Sequence, residues 1–363
     1  GGAHRHWGRH VLAIYRHRCH YCGRRLLRVL PVKPISKSFG YQELEVFRMK
    51  QKESRILVIG SLNYDIILEQ ERLPEKGETY TVDRVTTGGG GKGANQAVQA
   101  AKMGIKTTMF GALGQDPFGD YLHRQLAAYG VDTTQIRRVS ESTGLGINNV
   151  LPDGSLYANI VRGANHTLTT SDITNLEPEI ARSAIVILQL EIPVDVTETA
   201  IKLARKHDCY VILNAAPALP ISANALSMVD CLIVNEKEAS YYVEAPISQV
   251  EDALAYCPAL HERIRDLVVI TLGVNGSVLY DGKNKVLIPI REVQAVDTTG
   301  AGDSYVGAFA ARIVTGTSYV EAAVYATLAS SITVTRPGSQ TSMPTALDIQ
   351  ALDLEGIPKP VYY

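Results

Sequence analysis

Acidic residues are missing from the first 42 positions of this chain, where Arg and His recur instead. The absence sets residues 1 to about 50 apart as a basic extension, punctuated by Pro31 and Pro34. Two readings fit it. One is an organelle transit segment, which is Arg-rich and acid-poor; the other is an extension without a packed core. Trp7, the spacing of the histidines and the scarcity of Ser fit the transit reading poorly. Cysteine is also scarce. Cys19, Cys22, Cys209, Cys231 and Cys257 are five, an odd number seated mostly in apolar segments. That argues against a disulfide framework and for reduced thiols in an intracellular protein. Cys19 and Cys22 form a lone CxxC pair, whereas a structural zinc site takes about four ligands. No apolar run approaches the roughly 20 residues that span a bilayer. A formal net charge of −1 removes any global electrostatic case for nucleic acid or a membrane as partner.

What remains is a globular region of ordinary composition, free of internal repeats, long enough to bury a large core. It opens at Arg55 with the apolar run 56–59, which ends at Gly60. Similar runs follow at 106–110, 185–190, 210–213, 231–234 and 267–272. Strand-like runs of this length, fully apolar at 56–59, read as parallel strands buried on both faces. Helical patterns lie between several of them, at 93–103, 194–206 and 318–330. Alternation of this kind predicts an α/β fold: a doubly wound, mostly parallel central sheet with helices on both faces. Two stretches break the rhythm. Residues 66–85 are polar and extended, with a turn at Pro74 and Gly77, and 144–161 reads as a hairpin around Pro152-Asp153-Gly154. Such segments predict a small β-lid over the ligand crevice, from about 65–88 and 144–162.

Candidate chemistry collects at the ends of the apolar runs. In 296–309, VDTTGAGDSYVGAF, the small residues Gly300, Ala301 and Gly302 precede a helix. Backbone N–H groups at such a start favour an anion. Asp303 inside that site is intelligible as a base that takes a proton while the amides stabilise phosphoryl charge. Alternatively it is a helix N-cap in a plain turn. The run GGGGKGANQ at 88–96 lacks the GxxxxGK[ST] spacing of a phosphate loop. Its glycines would let a small polar ligand approach the backbone, with Lys92 and Asn95 as donors; a flexible linker is the plain alternative. Asn63 and Asp65 follow Gly60 and could clamp sugar hydroxyls or form an Asx turn. Glu238, in the segment Asn235-Glu236-Lys237-Glu238-Ala239, could order water around magnesium or sit at a solvated helix start. Glu191, Thr271 and Gly273 are further strand-end residues. Their shared position is what one active-site crevice requires.

With those residues in view, the chain from about Arg55 to Thr345 resembles the ribokinase-like (phosphofructokinase B-type) carbohydrate kinases. The resemblance rests on GSLNYD at 60–65, RLPEKGET at 72–79, GGKGANQA at 90–97 and QLEIP at 189–193. It continues through NEKEA at 235–239, TLG at 271–273, DTTGAGD at 297–303 and VTRPGSQTSMP at 334–344. It implies a kinase domain over 51–350, followed by a short tail at 351–363. It implies transfer of the γ-phosphoryl of ATP to the 5-hydroxyl of D-ribose, with Asp303 as base and the amides of Gly300, Ala301 and Gly302 as anion hole. Asn63, Asp65, Gly90, Gly91, Lys92, Asn95 and Glu191 would hold the sugar. Asn235, Thr271 and Gly273 would lie at the nucleotide, and Glu238 would hold Mg2+ through water. A K+ site would draw on Asp297, Thr299, Thr333, Arg336, Gly338 and Ser342, mostly through carbonyls. The resemblance also implies a homodimer clasped through the lid and a cytoplasmic or nuclear location, organellar if the N-terminus is a transit segment. Two departures stand out: four glycines at 88–91 replace a bulkier residue before GGK, and Asn214-Ala215-Ala216-Pro217 replaces Asn-Pro-Ala-Pro. Within the same class, a kinase for deoxyribose, another sugar or a nucleoside is the alternative. From another class, a catalytically silent binding protein on this fold would show losses at Asp303, Gly302 or Lys92, and all three are present.

Overall fold

The computed structural model describes residues 52–82, 84–152, 156–353 and 356–363. The basic extension, with Cys19 and Cys22, lies outside the described residues. The strands are β1 (Arg55–Ile59), β2 (Asn63–Glu69), β3 (Arg84–Gly90), β4 (Lys106–Gly114) and β5 (Ile136–Val139). They continue with β6 (Gly144–Val150), β7 (Leu156–Val161), β8 (Ile185–Leu188), β9 (Tyr210–Asn214) and β10 (Cys231–Asn235). The last are β11 (Leu267–Thr271), β12 (Ser277–Tyr280), β13 (Lys285–Ile288) and β14 (Val361–Tyr362). One sheet has the order β14-β13-β12-β11-β10-β9-β8-β1-β4-β5, and a second, four-stranded sheet has the order β3-β2-β6-β7.

From β11 to β5 every pairing in the large sheet is parallel. Side chains alternate across it, so Ile56 and Val58 enter one core while Leu57 and Ile59 enter the other. The first core is closed by helices α1 (Lys92–Lys102), α2 (Pro117–Ala128), α5 (Ala301–Ile313) and α6 (Tyr319–Thr333). The second is closed by α3 (Val194–Lys206) and α4 (Glu236–Val243), among others. Burial on both faces is why β1 and β8 to β11 read as apolar runs.

Strand order turns back at β1. The chain passes from β1 to β4 and β5 on one side, then returns to β8 on the other. In an open α/β sheet the crevice at such a switch point, beyond the carboxyl ends, is where ligands bind. The small sheet springs from this point, because β2 begins four residues after β1 ends. The predicted hairpin appears as β6 and β7 in antiparallel register.

Several boundaries differ from the sequence expectation. Hydrogen bonding of the strand at 185 stops at Leu188, and the Leu190 N–H donates instead to the Ala216 carbonyl at 3.0 Å. Gly88, Gly89 and Gly90 are the end of β3, paired with Asp65, Tyr64 and Asn63, so they form neither a linker nor a phosphate loop. The antiparallel pair β12–β13 went unread although Asp281 and Gly282 mark its turn. Val361 and Tyr362 close the edge of the large sheet by pairing with β13.

Candidate active site

Helices α1 and α5 bring the two strongest motifs together. A Cβ at Gly307 in α5 would stand 2.6 Å from the Gln96 carbonyl and 2.7 Å from the Gln99 side chain. Only a residue without one lets the backbones approach this closely. The approach sets Asp303, in the first turn of α5, against Asn95 and Gln96 of α1. Asp303 is 8% exposed; its Oδ2 accepts from Asn95 Nδ2 and its Oδ1 from Gln96 Nε2, both at 2.9 Å. It is not a helix N-cap. That position belongs to Gly300, in the left-handed region at φ 76°, and the Asp303 side chain turns to α1 instead.

Ahead of Asp303 the helix start is partly open. Among the described residues no acceptor meets the N–H of Gly300, Gly302 or Asp303, and nothing lies within 4 Å of a Cβ placed at Gly302. The Ala301 N–H differs from expectation: it donates to the Thr298 carbonyl at 3.2 Å, which closes the turn before the helix. Asp297 fixes the same loop, its Oδ1 accepting from Thr299 N and its Oδ2 from Gly338 N, each at 2.9 Å. Of the other residues expected near a cation, Arg336 pairs with Asp348 at 3.0 Å, and the Thr333 carbonyl accepts from Arg336 N at 3.2 Å. The Ser342 hydroxyl donates to the Ser339 carbonyl. No cluster of three or more His, Cys, Asp or Glu side chains fit to hold a metal occurs among the described residues.

Glu191, just past β8, accepts from the Ser61 hydroxyl at 2.5 Å and from Lys92 N at 3.0 Å, bridging both sides of the switch point. Asn63 and Asp65 sit in β2 rather than in an Asx turn. Asn63 Oδ1 accepts from Asn165 Nδ2 at 2.8 Å, and the Asn165 Oδ1 accepts from Leu62 N. The Asp65 carboxylate lies between two glycines of neighbouring strands. A Cβ at Gly90 or Gly146 would fall 2.0 Å or 2.3 Å from it. Burial, then the charges of Glu191 and Asp303, push the Asp65 carboxyl up to about 7. For Lys92, burial acts to depress the ammonium, but the carboxylates of Asp303, Glu191 and Glu238 outweigh it and hold the group above the ordinary lysine value. These charged groups therefore share one crevice.

Toward β10 and β11 the site changes character. Glu238 is 7% exposed, so it is not a solvated helix start. It forms a capping box on α4: its carboxylate accepts from Asn235 N at 2.9 Å and Asn235 Nδ2 at 3.1 Å, while Asn235 Oδ1 accepts from Glu238 N. Burial raises its pKa, with Asn235 and Lys92 opposing and Asp303 adding. The Thr271 hydroxyl donates to the Val234 carbonyl at 3.3 Å, and Gly273 turns the chain at φ 52°.

Residues 53–346 match the model of the pfkB family carbohydrate kinases. The chain belongs to that family. It is 35% identical over 292 residues to the ribokinase of Haemophilus influenzae, covering 80% of this chain and 95% of that one. To the deoxyribokinase of Salmonella typhi it is 33% identical, covering 80% of this chain and 95% of that one. Its fold is similar to that of Arabidopsis thaliana ribokinase complexed with ribose and ATP, with a TM-score of 0.77 at 33% identity, over 83% of this chain and 100% of that one. In this carbohydrate kinase, sequence reasoning missed Ser61, Gln96, Asn165, Gln189, Asn214 and Gln340. All but Asn165 and Asn214 lie inside the motifs that carried the resemblance. Asn165 follows Gly163 and Ala164 in a short 3-10 turn and had no signal of its own.

Proposed function

We propose that this kinase transfers the γ-phosphoryl group of ATP to the 5-hydroxyl of D-ribose, with Asp303 as base. The observation that carries the reading is Asp303 itself: buried, oriented by two amide donors, and placed behind the open N–H groups of Gly300 and Gly302. The sugar hydroxyl donates to Asp303, which takes its proton as the oxygen attacks phosphorus. The O–P bond to ADP breaks, and the backbone donors meet the charge on the transferring group. Gly300 and Gly302 carry the anion hole, with Ala301 joining only when its N–H leaves Thr298. Asn63, Asp65, Gly90, Gly91, Lys92 and Glu191 hold the sugar, and Asn95 offers it the one N–H not given to Asp303. Asn235, Thr271 and Gly273 flank the nucleotide.

Glu238 fits an outer-sphere role toward Mg2+: Asn235 fixes its carboxylate yet leaves each oxygen a lone pair for water. The ion would screen phosphate charge. The K+ set fits through backbone oxygens, since Asp297 already ties the 297–299 and 338 segments together. Exposed Val85 and Tyr157, which register through β2 and β6 to one side of the small sheet, give a lid-clasped homodimer apolar surface to cover. Cys209, Cys231 and Cys257 are free and buried, which suits a reducing, cytoplasmic compartment.

The second reading, 2-deoxyribose as substrate, is favoured by the Salmonella typhi relative. A coupled ADP-release assay over a sugar panel, with and without K+, separates the two. Ribose should give the highest kcat/KM, and an equal or higher value with 2-deoxyribose would overturn the substrate assignment. A flat response to every sugar and nucleoside would point to a silent binding protein.

A further inference from the structure

Two chains of side-chain amides end on the two oxygens of Asp303. Gln189 Nε2 donates to Gln96 Oε1 at 2.7 Å, and Gln96 Nε2 donates to Asp303 Oδ1 at 2.9 Å. On the other side, Gln340 Nε2 donates to Asn95 Oδ1 at 3.0 Å, and Asn95 Nδ2 donates to Asp303 Oδ2 at 2.9 Å. An ionised carboxylate only accepts, so Asn95 and Gln96 must both present their NH2 groups to it. Their carbonyls then face outward, and Gln340 and Gln189 must in turn present NH2 to them. The second Gln96 hydrogen goes to Asn214 Oδ1 at 3.0 Å, and Asn214 Nδ2 donates on to the Ile233 carbonyl. Every donor and acceptor direction follows from the one carboxylate.

The outer ends of both chains show the cost of this arrangement. Gln189 and Gln340 are 0% and 1% exposed, and each leaves its Oε1 buried without a partner among the described residues. Buried amides seldom leave an acceptor unpaired. Both side chains also sit against glycine backbone. A Cβ at Gly60 would fall 1.9 Å from Gln189 Oε1, and one at Gly89 would fall 2.5 Å from Gln340 Oε1. The second contact gives Gly89, within the glycine run at 88–91, a physical reason, because a bulkier residue there would displace Gln340.

We propose that Gln189 and Gln340 are positioning residues, each holding in place the amide, Gln96 or Asn95, that aims one oxygen of Asp303. The proposal rests on the reading of Asp303 as base. Neither outer glutamine touches Asp303, so their effect runs only through the inner pair. Removing either outer side-chain amide leaves the inner carbonyl without its donor, so the inner amide is no longer held at its outer end and the Asp303 oxygen it aims shifts from the sugar hydroxyl.

The test uses the full chain with Gln189→Leu and Gln340→Leu, two independent substitutions that each remove one hydrogen bond and one unpaired acceptor. Steady-state kinetics with ribose and ATP should show kcat down by about tenfold in each, with both KM values within about threefold of the parent. A purely structural role would lower the melting temperature without this split. If either variant keeps the parent kcat, or loses activity through KM instead, the positioning role is overturned. Asp303→Asn assayed alongside separates the two levels of the account. An inactive Asp303→Asn with parent-like glutamine variants sinks the relays alone, and an active Asp303→Asn sinks the base assignment and the relays with it.

Discussion

The floor of the crevice and the small sheet above it are built on opposite principles. Around Asp303 the side chains are buried, and they answer one another across the α1–α5 contact with hydrogen bonds between residues up to 208 positions apart. The small sheet is anchored at its root, where Tyr64 packs on Phe118 with ring centroids 4.6 Å apart and Asn63 is held by Asn165. Beyond the root it opens to solvent, with Val85 60% and Ile160 54% exposed. Groups that must act at a fixed geometry are preformed on rigid elements, while the strands over them are held at one end only. That division suits a site that must admit a sugar and then exclude water.

The comparison can be broken most severely at the floor. Asp303→Asn should cost about 10²–10⁴-fold in kcat while ATP binding, measured by calorimetry, stays near the parent value. Near-normal turnover would mean that the buried arrangement serves stability alone. Gly307→Ala should be next, because its new methyl group meets the backbone of α1. Overpacking of this kind costs about 1–3 kcal/mol, read as a lower midpoint in denaturant unfolding. An unchanged midpoint would show that the two helices separate freely.

Asp65 tests the junction between the regions. Its folded pKa, about 7, lies above the ordinary value of 3.8, so between those values the native state binds more protons than the unfolded one. Stability from this group is therefore present below pH 4 and lost as pH rises to 7. Asp65→Asn should melt ever higher relative to the parent from pH 4 to pH 8 in the absence of ligand. A pH-independent difference would remove the penalty assigned to burying Asp65 and to its facing Glu191 and Asp303. The smallest effect belongs to the outer strands. Arg84 and Glu69 pair at 3.6 Å with both side chains exposed, and Arg84→Ala should shift stability by under about 0.5 kcal/mol. A larger loss would show the small sheet to be more tightly built than its exposure suggests.

Legibility in the sequence follows the same division. The parallel strands were readable because burial on both faces demands unbroken apolar runs, and Asp303 was readable because its glycine turn is local. Asn63, Asp65, Glu191 and Glu238 could be placed at strand ends by counting from those runs. The amide network could not. Whether Gln189 meets Gln96 depends on the approach of β8 to α1, a distance that no local pattern records. The capping box at Glu238 was half visible, since Asn235 stands three positions before it, but burial by the rest of the fold was needed to exclude a solvated helix start. The Ala301 amide shows the same limit: a turn hydrogen bond to Thr298, which no local pattern records, competes with the anion hole.

The most direct measurement is the position of the phosphate in the product. D-ribose and ATP incubated with the enzyme and followed by 13C and 31P nuclear magnetic resonance should give a single product whose C5 signal is coupled to phosphorus. Coupling at another carbon, or ATP consumed without any sugar phosphate, would contradict the placement of the 5-hydroxyl against Asp303.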